Sequence, residues 1–253
     1  KLDWRQSLYD GVDRGEGITP SNDAPSQIRL SYIPNGMAIS FSTIHPYQAP
    51  SEPTVHFGLQ PANLDYTATA GENGLINDTY GTLYFHTVLL EMLAWNTTYF
   101  YQVDGNPTIN SFVTARAPGD PTPFEVLLVG DMGLVNSGDN MKQMKAQVEQ
   151  TDFYLHIGDI SYADDFYLRT NNTYEGSWDT FQDLMEPVTA NIPYMTLPGN
   201  HEVVCTEVSP FLCPANQNNM TAYRHRFRMP SKESGGTQNL WFSYDYGLVH
   251  FIH

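Results

Sequence analysis

Positive charge is what this sequence has least of. Its 12 Lys and Arg stand against 28 Asp and Glu, for a net charge of −16. A field of that sign repels phosphate backbones and anionic lipid, so nucleic acid and membrane partners are excluded. Long apolar runs are missing as well. None approaches the roughly 20 residues that a membrane-spanning helix needs. Lys1 opens the chain without a signal-peptide pattern, so the 253 residues read as a mature form. Only two cysteines occur, Cys205 and Cys213, and no second pair accompanies them, which disfavours a structural zinc site. Internal repeats and low-complexity segments are absent too. What is plentiful is core material, 41% hydrophobic and 13% aromatic residues, enough for one large or two ordinary domains.

Four acceptor sequons, at Asn77, Asn96, Asn171 and Asn219, each carry Thr at the second following position with no intervening proline. Together they point to the secretory route and to N-linked glycans. In an oxidising compartment Cys205 and Cys213 pair and close a short loop, worth about 2.5 kcal/mol by chain entropy.

Residues 1–25 are rich in Gly, Asp and Pro and read as a lead-in without chemistry. Residues 26–117 carry short alternating segments at Gln27–Tyr32, Met37–Thr43, Thr54–Leu59, Thr82–Leu90, Thr98–Val103 and Ser111–Ala115. Turn signals such as Pro34-Asn35-Gly36 and Asp104-Gly105-Asn106-Pro107 separate them. The pattern predicts an N-terminal all-β sandwich. A Pro-rich boundary at Arg116–Pro123 follows.

From 121 to 253 the pattern becomes strand, helix, strand. Phe124–Val129, Asp152–Ile157 and Ile192–Leu197 are continuous apolar runs. Helices are predicted over Asn140–Gln150, with Met141, Met144 and Val148 inward, and within Thr173–Ala190 on a stripe of Trp178, Phe181, Leu184 and Met185. Such runs predict a sheet buried on both faces, hence an α/β domain. Leu240–Asp245 and Leu248–Ile252 read as a hairpin turning at Tyr246-Gly247.

Each of the three apolar runs ends in a polar cluster: Gly130-Asp131-Met132-Gly133, Gly158-Asp159-Ile160-Ser161-Tyr162 and Gly199-Asn200-His201-Glu202. At the ends of neighbouring strands, Asp131, Asp159, Tyr162 and Asn200 converge on one sheet edge. Carboxylate, phenolate, amide and imidazole donors suit Fe(III), Mn(II), Zn(II) or Mg(II) rather than soft metals. Clustered anions with no adjacent Lys or Arg also need a cation. A Gly-Asp pair alone is a common turn; three clusters in order, with a tyrosine three residues past the second aspartate, are not.

The same residues resemble the purple acid phosphatases of the metallophosphoesterase superfamily, and the sandwich is similar to the fibronectin type III-like domain of the larger plant and fungal members. The resemblance implies that Asp131 and Tyr162 bind Fe(III), that Asp159 bridges to a divalent Zn, Mn or Fe ion, and that Asn200 binds that second ion. His201 is implied to be catalytic rather than a ligand, beside the substrate phosphate. The implied activity is a secreted acid phosphatase, extracellular or in the cell wall or vacuole. It hydrolyses a small phosphomonoester to inorganic phosphate by attack of metal-bound hydroxide. A phosphodiesterase or nucleotide pyrophosphatase of the same fold, and a non-catalytic binding glycoprotein, are the alternatives.

Four ligand residues are too few for two ions of coordination number about five to six. The Val-x-x-His and Gly-His-x-His blocks that the resemblance implies are not present. Val249-His250-Phe251-Ile252-His253 is one residue too long for the first. A C-terminal segment of the same domain is therefore expected to complete the site, with recruitment of His250 or His253 as the rival. Asp164 and Asp165 are outer partners of the centre or a solvated loop. His45, His56 and His86 are structural. The basic knot Tyr223–Arg228 either draws an anionic substrate or pairs with the domain's own carboxylates, the reading its acidic surroundings favour.

Overall fold

The computed structural model describes residues 23–71, 74–135, 137–166 and 172–253. Most of the expected lead-in, and the sequon at Asn171, lie outside them.

Eight strands build the sandwich: β1 (Ser26–Ile33), β2 (Gly36–Thr43), β3 (Thr54–Gly58), β4 (Tyr66–Thr69), β5 (Leu75–Tyr80), β6 (Leu83–Glu91), β7 (Thr98–Val103) and β8 (Asn110–Val113). They form two antiparallel sheets, β1-β2-β6-β5 and β4-β3-β7-β8. Strands β4 and β5 were not expected from the sequence. Both are edge strands with few buried residues, and β5 has a register irregularity between Leu75 and Asp78, so neither carries an apolar alternation. Asn77 sits in that irregularity at φ 54°. Its amide oxygen accepts from the Tyr47 amide at 2.8 Å and its amide nitrogen donates to the Tyr47 carbonyl at 2.7 Å.

The α/β unit contains β9 (Val126–Val129), α1 (Gly138–Gln147), β10 (Phe153–Ile157), α2 (Tyr174–Thr189), β11 (Tyr194–Leu197), α3 (Thr221–Arg226), β12 (Ser243–Tyr246) and β13 (Val249–Ile252). Strands β9, β10 and β11 are parallel in the order β11-β10-β9. Helix α2 starts where the Thr173 hydroxyl accepts the Gly176 amide at 3.0 Å, and it buries Trp178, Phe181, Leu184 and Met185. The short α3 had no periodicity to reveal it. The hairpin turn is Gly247-Leu248, one residue later than expected, because Tyr246 pairs with Val249. The expected cover on both faces fails at two places: Leu128 is 59% exposed and Ile157 48%.

The two units are packed as one body. Strand β1 is buried on both faces because α2 lies on the side that an isolated sandwich would leave to water, and β2 beside it is buried along its whole length. Thr189 Oγ1 donates to the Ile28 carbonyl at 2.7 Å, and the Gln27 amide donates to Glu186 at 2.9 Å. Tyr101 Oη donates to the Ala190 carbonyl at 2.7 Å. Asp78 of the sandwich meets His225 of α3 at 2.8 Å. His86 accepts the Asn77 amide on Nδ1, and burial pushes its pKa down to about 4, so it is a neutral structural residue. No helix among the described residues is long and apolar enough to cross a membrane.

Of the basic knot, Arg226 is internal. It is 1% exposed, bonds Asp179 at 2.7 Å and Glu175 at 3.1 Å, and lies under the rings of Tyr80, Phe85 and Trp178. Arg228 pairs with Glu233. Arg226→Ala strands two partly buried carboxylates where the units meet, so it is expected to lower unfolding stability by about 3 kcal/mol. An unchanged urea midpoint would contradict that pairing.

Candidate metal centre

With β10 central, its following loop is flanked by the loops after β9 and β11. The first two loops are zipped together by a run of backbone bonds. The amides of Asp131, Met132, Gly133 and Leu134 donate to the carbonyls of Gly158, Asp159, Ile160 and Ser161 at 3.3, 3.1, 2.9 and 2.9 Å. The third loop is tied to the second by Glu202. Its carboxylate, 1% exposed, accepts the amides of Gly199 at 2.7 Å, Ile160 at 2.8 Å and Asp159 at 2.9 Å. Burial raises the Glu202 pKa to about 7, while the three amide bonds oppose the rise.

Close backbone approach makes this possible. A Cβ on Gly199 would lie 2.1 Å from Asp159 Oδ1, and one on Gly158 would lie 2.8 Å from the Gly199 backbone. Asp131, Asp159 and Tyr162 all hold left-handed backbone, at φ 53°, 53° and 51°. For non-glycine residues that conformation is strained by about 1–3 kcal/mol each and concentrates at functional sites.

Asp131 is exposed and follows β9; Asp159 and Tyr162 are half-buried after β10. Tyr162 Oη donates to Asp131 Oδ1 at 2.9 Å. Asn200 and His201 lie in a 3₁₀ turn, Asn200–Glu202, after β11. The Asp159 carboxylate accepts the His201 amide at 3.1 Å. The His201 ring packs on Tyr162, centroids 4.0 Å apart, and its Nδ1 meets Asp164 Oδ2 at 2.8 Å. Burial works against protonation of His201, but the Asp164 bond and the charges of Asp164, Asp159 and Glu207 outweigh it and hold the pKa above its ordinary value. Burial raises Asp164 to about 6, with the His201 bond opposing. Asp164, an alternative left open by the sequence, is thus the partner of His201.

Asn200 is exposed and its Nδ2 donates to Glu207 at 3.0 Å. Among the described residues, the His, Cys, Asp and Glu donors that lie within 4.8 Å of one another are those of Asp164, His201 and Glu207. Glu207 was missed by sequence reasoning. It belongs to none of the three clusters, although its place between two cysteines marks a fixed loop. Cys205 and Cys213 are disulfide-bonded. His250 pairs with Asp245 at 2.7 Å, and His253 stacks on Phe242 and Tyr244, so both histidines of the last strand are engaged within their own hairpin.

The donors fit a cation. Oxygens about 2.0–2.2 Å from one ion and at right angles to each other lie roughly 2.8–3.1 Å apart, the separation at which Tyr162 Oη and Asp131 Oδ1 already stand. Oxygen donors gathered at the carboxyl edge of a parallel sheet, beside a β-sandwich, are the arrangement of an α/β protein whose strand-end loops can hold a metal ion.

Comparison with known proteins narrows that class. Residues 25–115 match the purple acid phosphatase N-terminal domain and residues 124–251 the calcineurin-like phosphoesterase domain. An acid phosphatase of Aspergillus ficuum is 34% identical over 99% of this chain and 56% of its own length. Probable purple acid phosphatase 20 of Arabidopsis thaliana is 31% identical over 96% of this chain and 53% of its own. The structure of a purple acid phosphatase, PPD1, from yellow lupin seeds superposes with a TM-score of 0.69 over 91% of this chain and 44% of that one, at 23% identity, and so shares the fold. The chain belongs to the calcineurin-like phosphoesterase family, in its purple acid phosphatase branch. It spans about half the length of the curated relatives it matches.

Gly199→Ala forces the new methyl into Asp159, so it is expected to weaken metal uptake on the order of 10-fold or more while circular dichroism stays that of the parent. Metal affinity equal to that of the parent would show that the close approach is unimportant.

Proposed function

We propose that this chain is part of a secreted acid phosphatase that hydrolyses phosphomonoesters at a dinuclear Fe(III) and divalent (Zn, Mn or Fe) centre. Asp131 and Tyr162 would hold Fe(III), Asp159 would bridge, and Asn200 would hold the divalent ion. The observation that carries the reading is the 2.9 Å approach of Tyr162 Oη to Asp131 Oδ1, since a phenolate beside a carboxylate is a hard donor pair suited to Fe(III). Two cations together supply charge neutralisation for the phosphate and acidify water.

The chain's own residues do the rest. His201, packed on Tyr162 and bonded to Asp164 at 2.8 Å, is placed to hold a proton for the leaving alcohol. Asp164 fixes its ring through Nδ1, which leaves Nε2 to face the substrate. Asn96 and Asn219, exposed at φ 46° and 57°, suit glycan attachment, whereas the Asn77 amide is already used by Tyr47. The sequons and the disulfide support the secretory route.

The test is made on the full-length protein. Loaded with oxidised iron it is expected to be coloured by phenolate-to-iron charge transfer and to release phosphate from a simple phosphomonoester at acid pH. Tyr162→Phe is expected to abolish the colour with the fold intact. A colourless parent carrying a full complement of ferric iron would remove Tyr162 from the centre.

A further inference from the structure

The structure assigns Glu207 as the residue that sets which end of the Asn200 amide faces the metal; this rests on the reading of Asn200 as a ligand. An asparagine amide has two ends of nearly the same shape and opposite chemistry: Oδ1 binds a cation, whereas the Nδ2 group presents only protons. Rotation by a half turn about the last side-chain bond exchanges them. Asn200 is exposed, so packing does not choose between the two. Glu207 does, because an ionised carboxylate only accepts hydrogen bonds. It accepts from Nδ2 at 3.0 Å and would repel Oδ1 in the same position. With Nδ2 bound there, Oδ1 is turned away from Glu207 and is free for an ion.

Glu207 can select the rotamer only if it is itself held in place, and the disulfide loop holds it. Cys205 and Thr206 immediately before it are 5% and 7% exposed. Cys205 is bonded to Cys213 across the loop, and the Val208 amide donates to Thr206 Oγ1 at 3.3 Å. The loop closed by the two cysteines thus presents one carboxylate to one amide. Partners of a ligand that orient it in this way typically change metal affinity by 10–100-fold.

The experiment compares full-length parent, Glu207→Ala and Glu207→Gln by titration of the iron-loaded protein with zinc, reading affinity calorimetrically. Thermal unfolding of each metal-free form serves as the control. Glu207→Ala is expected to bind zinc about 10-fold more weakly, with its metal-free unfolding temperature unchanged. Glu207→Gln, whose side-chain carbonyl still accepts from Nδ2, is expected to recover most of the parent's affinity. Parental affinity in the Ala variant overturns the assignment. So does a Gln variant as weak as the Ala variant, since Glu207 would then act by its charge or as a ligand itself. A parent that takes up no zinc refutes the metal-centre reading rather than this inference alone.

Discussion

The buried carboxylate of Glu202 is the constraint on which the rest of the site depends. One side chain accepts three backbone amides from two loops, at 2.7 to 2.9 Å, and so converts separate strand ends into one unit. The ladder from Asp131 to Leu134 adds the remaining loop. Buried amides left without acceptors would each be unfavourable by about 1–3 kcal/mol, so the loops have no cheap way to separate. Three strained residues are tolerated because this framework over-determines them. That is how exposed or half-buried donors such as Asp131 and Tyr162 keep a defined spacing without being buried themselves.

Rigidity at the sheet edge has a second source, further from the chemistry. The sandwich covers one face of α2 through β1, and Arg226 and His225 reach from α3 to the carboxylates and rings of α2, β5 and β6. Helix α2 in turn packs on the 3₁₀ turn that carries Asp164, the partner of His201. The orientation of the His201 ring is therefore linked through packed elements to the N-terminal domain, none of whose described residues lies among the candidate ligands.

Much of this was legible in the sequence, for a physical reason. Asp131, Asp159, Tyr162, Asn200 and His201 could be picked out as candidates because each cluster is local: an apolar run, a glycine that lets the chain turn, and a donor. The two-domain division was equally visible, since strand alternation gives way to runs interleaved with helical stripes. What was hidden depends on tertiary pairing. Glu202 stood within a recognised cluster, yet nothing local says that its carboxylate crosses to Asp159 and Ile160, 43 and 42 residues away. Asp164 reaches His201 across 37 positions. Strands β4 and β5 were missed because exposed edges need no apolar pattern. The burial of Arg29 on β1 was unforeseeable before α2 was seen to pack against that strand.

Anomalous diffraction recorded above the zinc edge, where iron, manganese and zinc all scatter anomalously, from crystals of the metal-loaded full-length protein, tests most directly whether these loops form a dinuclear centre. The expected result is two peaks about 3.5–4 Å apart on either side of the Asp159 carboxylate, with Asp131 and Tyr162 on one ion and Asn200 Oδ1 on the other. A single peak, or metal held instead by Asp164, His201 and Glu207, would contradict the account.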